Sequence, residues 1–221
     1  MKEKNSTDTL FYKASQYIYY FLLTNAYFLV SNALILLALI LLPLSISNLL
    51  VYGVALIPTG ASLTALFYAM GKLYREKTIQ PTKDYWKAYL DNFKESTKYW
   101  LIMIALLIVL SVDILYVLER GWIFLTVVSL IVLAIMMVTM IYAFSILARF
   151  EVTTKNLMIF SILLLFRNKL NSLSLLFLLV AFIVILYGFA GYALLCLFAI
   201  ASYYFMRSNH KILEKLMQDF Q

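Results

Sequence analysis

The side chains of this chain that could do chemistry are few, and the densest group lies in a long uncharged stretch, from Ala14 to Gly71. The group consists of Pro58, Thr59, Gly60, Ser62 and Thr64. Proline removes a backbone donor, small residues let another helix approach closely, and hydroxyls can bond the carbonyls that are freed. The pattern is typical of a broken helix that lines a polar cavity, as at transporter binding sites, or of a packing kink between helices.

Three more polar side chains lie inside apolar runs. Asp113 follows Lys98 by fifteen residues, roughly 22 Å along a helix, which places it in the outer third of a bilayer. An acid at that depth is either functional, in which case it could couple a proton, or near enough to the surface to stay wet. Asn25 and Asn32 are seven residues apart and share one helical face, so we expect each to bond a partner helix.

The residue inventory excludes several kinds of site. The chain has a single histidine, His210, and a single cysteine, Cys196, which are too few for a conventional zinc site or an internal disulfide. It has no glycine-rich phosphate loop and no serine-centred nucleophile elbow. We therefore expect no catalytic residue, no metal and no cofactor, and we predict that the protein is not an enzyme.

Composition sets the class of fold that must hold these residues. Hydrophobic residues make up 64% of the chain and charged residues 13%, and the mean hydropathy is +0.91. Soluble domains are only about half apolar, so the excess apolar surface is expected to face a lipid bilayer. The net charge is +7, but the basic residues lie beside apolar runs, which favours anionic lipid over nucleic acid as their partner.

The apolar runs predict an all-α polytopic membrane protein in a single domain, residues 1–221. The six predicted transmembrane helices are 17–42, 49–73, 99–118, 122–148, 171–187 and 191–206. Two cytoplasmic interfacial helices are predicted at about 82–96 and 154–167. The last two spans depend on a turn at Gly188–Gly191, and without that turn the count is five.

The distribution of positive charge predicts the orientation. With these spans, seventeen of the eighteen Lys and Arg residues fall on one side, and only Arg120 falls on the other. Short cytoplasmic loops carry the excess of Lys and Arg in membrane proteins. We therefore predict a multi-pass protein whose two termini are both cytoplasmic.

The first interfacial helix is a candidate docking surface. Behind Pro81, aromatic residues recur at helical spacing, and charged residues occupy the other positions. The aromatic residues are Tyr85, Trp86, Tyr89 and Phe93. An amphipathic helix of this kind could lie in the inner interface and dock a partner protein.

Four segments carry a resemblance to a known family. These segments are Pro58 to Tyr68, Tyr85 to Lys94, Asp113 with Tyr116, and Ala148 to Glu151. Over about residues 20–210 the chain resembles the YesL-like family of bacterial integral membrane proteins, whose biochemical activity is unassigned. It departs from the family at Phe144-Ser145 and at Asn168-Lys169, where the family commonly has a proline.

The resemblance implies a location and a partner. Genes of this family commonly stand beside genes for carbohydrate ABC permeases, which implies a bacterial cell-membrane protein that assists an ABC-type sugar permease. The alternative is a self-contained small transporter or channel built on the polar stretch 58–64. Association into a homo-oligomer is open under both hypotheses.

Overall fold

The computed structural model describes residues 10–43, 45–189 and 195–219. Within these ranges the chain forms α-helices and one 3-10 turn, Ile46–Asn48, and no strand. The helices are α1 (Leu10–Ser31), α2 (Ala33–Leu41), α3 (Leu49–Ala55), α4 (Ile57–Glu76), α5 (Pro81–Asp91), α6 (Phe93–Glu119), α7 (Ile123–Leu147), α8 (Thr154–Arg167), α9 (Lys169–Gly188) and α10 (Leu197–Asp219). The chain is therefore all-α, as predicted.

Four stretches of helix are long and apolar enough to cross a membrane: Leu50–Glu76, Phe93–Glu119, Ile123–Leu147 and Lys169–Gly188. The bent pair α1 and α2 makes a fifth if it counts as one span. These helices suit a polytopic membrane protein. The sixth predicted span, 191–206, and the predicted turn at Gly188–Gly191 lie partly outside the described residues.

The first predicted span is not one helix. Sequence predicts a single helix over 17–42, whereas the structure divides it at Asn32, where α1 and α2 meet at 64°. Asn32 has φ −103° and ψ 15°, and its side chain donates to the Phe28 carbonyl oxygen at 2.8 Å. An asparagine that bonds nearby backbone competes with helical geometry, and that competition favours a break.

Helix α4 is the centre of the bundle. Eleven of its residues are buried, compared with three in α6 and one in α9, and it contacts α1, α5, α6, α7 and α10. The buried face is rich in small residues, among them Gly60, Ala61, Ser62, Ala65 and Ala69. Small residues let backbones approach closely, which is the main source of packing energy where lipid replaces water.

The bundle is packed mainly at one end. The buried residues of α7 all fall within Val138–Leu147, and those of α6 fall between Ser96 and Met103. The other halves of both helices expose large apolar side chains up to the turn at Arg120. We call the packed end, which carries Arg75 and Arg149, the basic end. Exposed apolar surface of this extent suits lipid.

The segments predicted as interfacial helices differ in outcome. The segment 82–96 is divided at Asn92: α5 ends at Asp91, and residues 93–96 belong to the long helix α6. The Asn92 amide donates to the Ala88 carbonyl oxygen at 3.0 Å, which ends α5 through a local side-chain bond. The segment 154–167 forms α8, Thr154–Arg167, which packs mainly on α7.

Candidate functional site

The helix break at Leu56 is closed by another helix. The Leu56 carbonyl oxygen accepts from the Thr59 backbone N–H at 3.1 Å and from Trp100 Nε1 of α6 at 2.8 Å. Pro58 lies in the first turn of α4, where a missing N–H leaves no helical bond unmade. Pro58 therefore lies at the start of α4 and breaks no helix. The Leu56 carbonyl, which the break would leave exposed, accepts a hydrogen bond from Trp100.

The hydroxyls of the polar stretch meet Asn32. Thr59 Oγ1 donates to Asn32 Oδ1 at 2.7 Å, and Asn32 Nδ2 donates to Ser62 Oγ at 2.9 Å. Ser62 Oγ in turn donates to the Pro58 carbonyl oxygen at 2.8 Å. Asn32 is 4% exposed. The bend between α1 and α2 is thereby joined to the start of α4, and we call these residues, Asn32, Thr59 and Ser62, the Asn32 junction.

The opposite face of α4 packs closely against α6 and is hydrogen-bonded to it. Thr64 Oγ1 lies 2.8 Å from Ser96 Oγ, and both side chains are fully buried. A Cβ atom added to Gly60 would lie 2.5 Å from Trp100 Cβ and 2.8 Å from the Ser96 carbonyl oxygen. Gly60 therefore allows an approach between α4 and α6 that no larger residue could keep.

The other two candidate residues lie elsewhere. Asn25 is fully buried, and its Oδ1 accepts from the Ala199 backbone N–H at 3.1 Å in the first turn of α10, where helices leave donors unpaired. Asp113 is exposed on the half of α6 that leads to Arg120. The structure thus brings Thr59 and Ser62 to Asn32 and directs Gly60 and Thr64 towards α6. Asn25 and Asp113 lie apart from both groups.

The predicted docking helix turns most of its aromatic face inward. Tyr85 is fully buried, and its hydroxyl lies 2.6 Å from Ser31 Oγ of α1. Trp86 packs against Tyr27, with ring centroids 5.9 Å apart. Burial raises the pKa of Tyr85 above its ordinary value. Tyr85 and Trp86 therefore attach α5 to α1. Sequence predicts that both face a partner protein, whereas in the structure both are largely covered.

The part of α5 that a partner could reach is its far end. Leu90 is 70% exposed and Phe93, just beyond the helix, is 39% exposed. Tyr89 is partly buried, and its ring lies 5.6 Å from that of Phe93. Lys87 and Lys94 are exposed on either side. An apolar pair is thus left on the surface among charged residues of both signs, since Asp91 is exposed as well.

A second polar network at the basic end was not predicted. Asn209 of α10 is fully buried, and it donates to Ser145 Oγ of α7 at 2.8 Å. Asn171 of α9 donates to Asn209 Oδ1 at 2.8 Å and accepts from Ser208 Oγ at 2.7 Å. The network joins three helices through their buried polar faces.

A carboxylate fixes the start of α8. Glu95 Oε2 accepts from the Thr154 backbone N–H at 3.0 Å and from Thr154 Oγ1 at 2.5 Å. The Thr154 hydroxyl, followed by Lys98 at 3.2 Å, holds the pKa of Glu95 below its ordinary value. An ionised acid at a helix start also interacts favourably with the helix dipole. Glu95 therefore connects α6 to α8.

An apolar cavity of about 210 Å³ lies between α6, α7 and α8. Its lining includes Tyr99, Met103, Met136, Met158 and Phe166. Three lining residues carry hydroxyls: those of Thr139 and Ser161 donate to carbonyl oxygens of their own helices, at 2.8 and 3.0 Å, and that of Tyr99 is buried without a hydrogen bond among the described residues. The cavity thus presents an apolar wall, which suits an apolar guest better than a polar solute.

Residues 21–114 match the model of a family described as "Protein of unknown function, DUF624". The matched segment runs from α1 into α6 and contains the Asn32 junction, the break at Leu56 and α5. No curated protein and no solved structure matches the chain. Over residues 21–114 the chain is therefore similar to a family without an assigned activity, and its helices make it a membrane protein of unassigned activity.

Proposed function

We propose that this protein is an accessory component of a bacterial cell membrane that assists a carbohydrate permease, with both termini in the cytoplasm. The resemblance to the YesL-like family supports the link to carbohydrate uptake, and the similarity over residues 21–114 is compatible with it. The proposal includes no catalytic activity and no cofactor of its own, because the chain has one histidine, one cysteine and few carboxylates.

The observation that carries the proposal is the state of the polar stretch 58–64. Its hydroxyls are bonded within the molecule, to Asn32 and to Ser96, and the carbonyl exposed by the break at Leu56 is bonded by Trp100. A transport site needs polar groups that are free to take the solute in place of water. Groups already bonded between helices favour a role in packing.

The docking surface is proposed at the exposed end of α5. Leu90 and Phe93 form an apolar pair beside Lys87 and Lys94, and Tyr85 fixes the helix to α1 through its bond to Ser31. A rigid helix that presents an apolar anchor with a polar rim is typical of protein interfaces. The partner in this proposal is a cytoplasmic-facing surface of an ABC-type sugar permease.

Purification from the native membrane in a mild detergent tests the proposal. We expect a permease subunit to be retained with the wild-type protein, and the double variant Leu90→Asn with Phe93→Asn to retain at least tenfold less of it. Repeated isolation of the wild-type protein alone, or only as a homo-oligomer, would contradict the accessory role.

A matched control separates docking from general loss of apolar surface. Leu170 is 87% exposed near the start of α9, and Leu170→Asn removes a similar apolar side chain from a different face. We expect this control to retain the permease subunit as the wild type does. Equal loss in the control would show that the effect is not specific to the end of α5.

The alternative function is a small transporter or channel. Two irregularities favour it: the 64° bend at Asn32 and the interruption of the second apolar stretch at Leu56. Discontinuous helices are common at transporter sites. Purified protein in liposomes should then move a sugar or protons, and Asp113→Asn should abolish movement if that acid couples the proton. Movement by the lone protein would displace the accessory proposal.

A further inference from the structure

Two arginines at the basic end form no ion pair within the described part of the chain, although Glu76 and Glu214 lie near enough to Arg75 to act on its charge. Arg75 is near the end of α4, and Arg149 follows the end of α7. Both are partly buried, and the described residues provide neither with an ion pair or a side-chain hydrogen bond. Arg149 Nη1 is wholly buried and unbonded in that part of the chain. Helices α4 and α7 are in contact, with the rings of Phe67 and Phe144 6.0 Å apart, and the charge of Arg149 acts on Arg75.

The surroundings of the pair are basic. Burial lowers the pKa of His210 on α10, and the charges of Arg149 and Arg75 lower it further. Glu214 opposes that change and lies 3.1 Å from His210 Nε2. Lys77 also acts on His210, and its Nζ lies 4.6 Å above the Tyr74 ring. Positive groups from α4 and from the end of α7 therefore converge beside His210 of α10.

The neighbouring carboxylates are directed to other cations. Glu76 lies 3.9 Å from Lys72 Nζ, and Glu214 lies beside His210. The negative dipole ends of α4 and α7 offset part of the positive charge of the two arginines. A helix dipole, however, gives no acceptor to a buried guanidinium N–H, and an unbonded buried N–H is costly.

The position of Arg75 is set by close packing. Its Nη1 lies 3.3 Å from the point where a Cβ of Gly71 would stand, so the guanidinium extends back along α4. Met206 of α10 occupies the same space, with its Cε 2.5 Å from that point. Arg75 is therefore held between α4 and α10, on the side of the bundle where α7 ends.

We propose that Arg75 and Arg149 form a binding site for a phosphate group, either free phosphate or the headgroup of an anionic lipid. Guanidinium groups present planar pairs of N–H donors that match phosphate oxygens. A phosphate bound at the accessible edges of the two partly buried guanidinium groups would neutralise the repulsion between their charges, and Arg149 Nη1, which is covered in this structure, would donate to it after a shift of the side chain. This inference does not depend on the accessory role, because it concerns a different face from the end of α5.

Thermal unfolding of the purified protein in a neutral detergent tests the site. Inorganic phosphate is compared with chloride at equal ionic strength, so that general screening is the same. We expect phosphate to raise the midpoint by several degrees in the wild type and not in Arg75→Gln or Arg149→Gln. Arg167→Gln, which removes an exposed arginine at the same end, should keep the rise.

Native mass spectrometry distinguishes the two sources of phosphate. Protein taken from nanodiscs of phosphatidylglycerol should retain a lipid in the wild type and in Arg167→Gln, but not in the two site variants, if the ligand is a headgroup. Phosphatidylcholine, which has no net charge, should be retained less. A rise with inorganic phosphate without retained lipid assigns the site to a soluble phosphate.

The stability of the variants is also measured in chloride without phosphate, to separate a binding site from a structural role of the arginines. Removing an unpaired, partly buried charge should leave Arg149→Gln at least as stable as the wild type in chloride. If the arginine had a purely structural role, the same variant would be less stable than the wild type. Arg149→Lys, which keeps the charge and loses the planar donor pair, is used if the glutamine variants do not fold, and it should weaken the phosphate effect. The proposal is overturned if neither probe acts on the wild type, or if all variants respond equally.

Discussion

Single buried amides join the helices of this protein. Asn32 connects the bend of α1 and α2 to α4, and Asn209 connects α10 to α7 and α9. An amide both donates and accepts, so one side chain can meet two helices at once. In a membrane, where apolar side chains gain little by leaving lipid, such bonds and close packing supply much of the association energy.

Replacing Asn32 with alanine should destabilise the bundle. The change removes three bonds, to Phe28, Ser62 and Thr59, and leaves the Thr59 hydroxyl without its acceptor. We expect Asn32→Ala to lower the free energy of unfolding by about 1–2 kcal/mol. Denaturation in mixed micelles with increasing SDS, followed by circular dichroism, measures the difference.

Ser111→Ala provides the matched control for that measurement. Ser111 is exposed, and its hydroxyl donates to the Leu107 carbonyl oxygen of its own helix at 2.7 Å. We expect this variant to stay within about 0.5 kcal/mol of the wild type. If Asn32→Ala were as stable as Ser111→Ala, the Asn32 junction would not hold α1 and α4 together.

Sequence indicated part of this bonding and missed the rest. Asn25 and Asn32 are expected to bond partner helices because they share one helical face, and both do. Asn209 gives no such signal because it lies in a C-terminal tail between the charged residues Arg207 and Lys211. The periodicity of small and apolar residues through that tail could have revealed a packed face. Its fully or nearly buried members are Ser202, Phe205, Met206, Asn209 and Leu213.

At the scale of elements, the approach of α4 to α6 depends on Gly60. Gly60→Ala would bring a methyl group to 2.5 Å from Trp100 Cβ and 2.8 Å from the Ser96 carbonyl oxygen. Neither atom is at the far end of a flexible side chain, so the two helices must separate. We expect a loss of about 1–3 kcal/mol, measured by the same SDS titration.

Gly53→Ala is the control for the glycine substitution. Gly53 lies in α3, and nothing stands within 4 Å of the added Cβ. Alanine is also the better helix former, so this variant should be as stable as the wild type or slightly more stable. A similar loss in both variants would mean that helix separation at Trp100 is not the cause.

The existence of the elements was more predictable than their bends. Apolar length adds up along the chain, and it therefore indicates a helix without reference to neighbours. The bend at Asn32 and the end of α5 at Asn92 depend on side-chain bonds to backbone carbonyls, which composition does not encode. The inward direction of Tyr85 likewise depends on α1, because its hydroxyl meets Ser31.

The whole molecule combines a packed basic end with an exposed apolar end. Polar networks and close contacts lie in the half of the bundle that ends at Arg75 and Arg149, while α6 and α7 extend beyond it as a hairpin to Arg120 with mostly exposed apolar side chains. Lipid can cover such a hairpin because its backbone bonds are internal to the helices. The end of the bundle that is packed is thus also the end that carries most of the positive charge.

The orientation of the molecule is the last prediction, and cysteine labelling tests it. In a Cys196→Ser background, single cysteines are placed by Leu90→Cys and Met217→Cys at the basic end and by Glu119→Cys beside Arg120; all three positions are exposed. Because Lys and Arg are retained on the cytoplasmic side, we expect a membrane-impermeant maleimide to label only Glu119→Cys in intact cells. The other two should react after permeabilisation alone, and labelling of Leu90→Cys from outside would reverse the orientation and remove the proposed docking end of α5 from the cytoplasm.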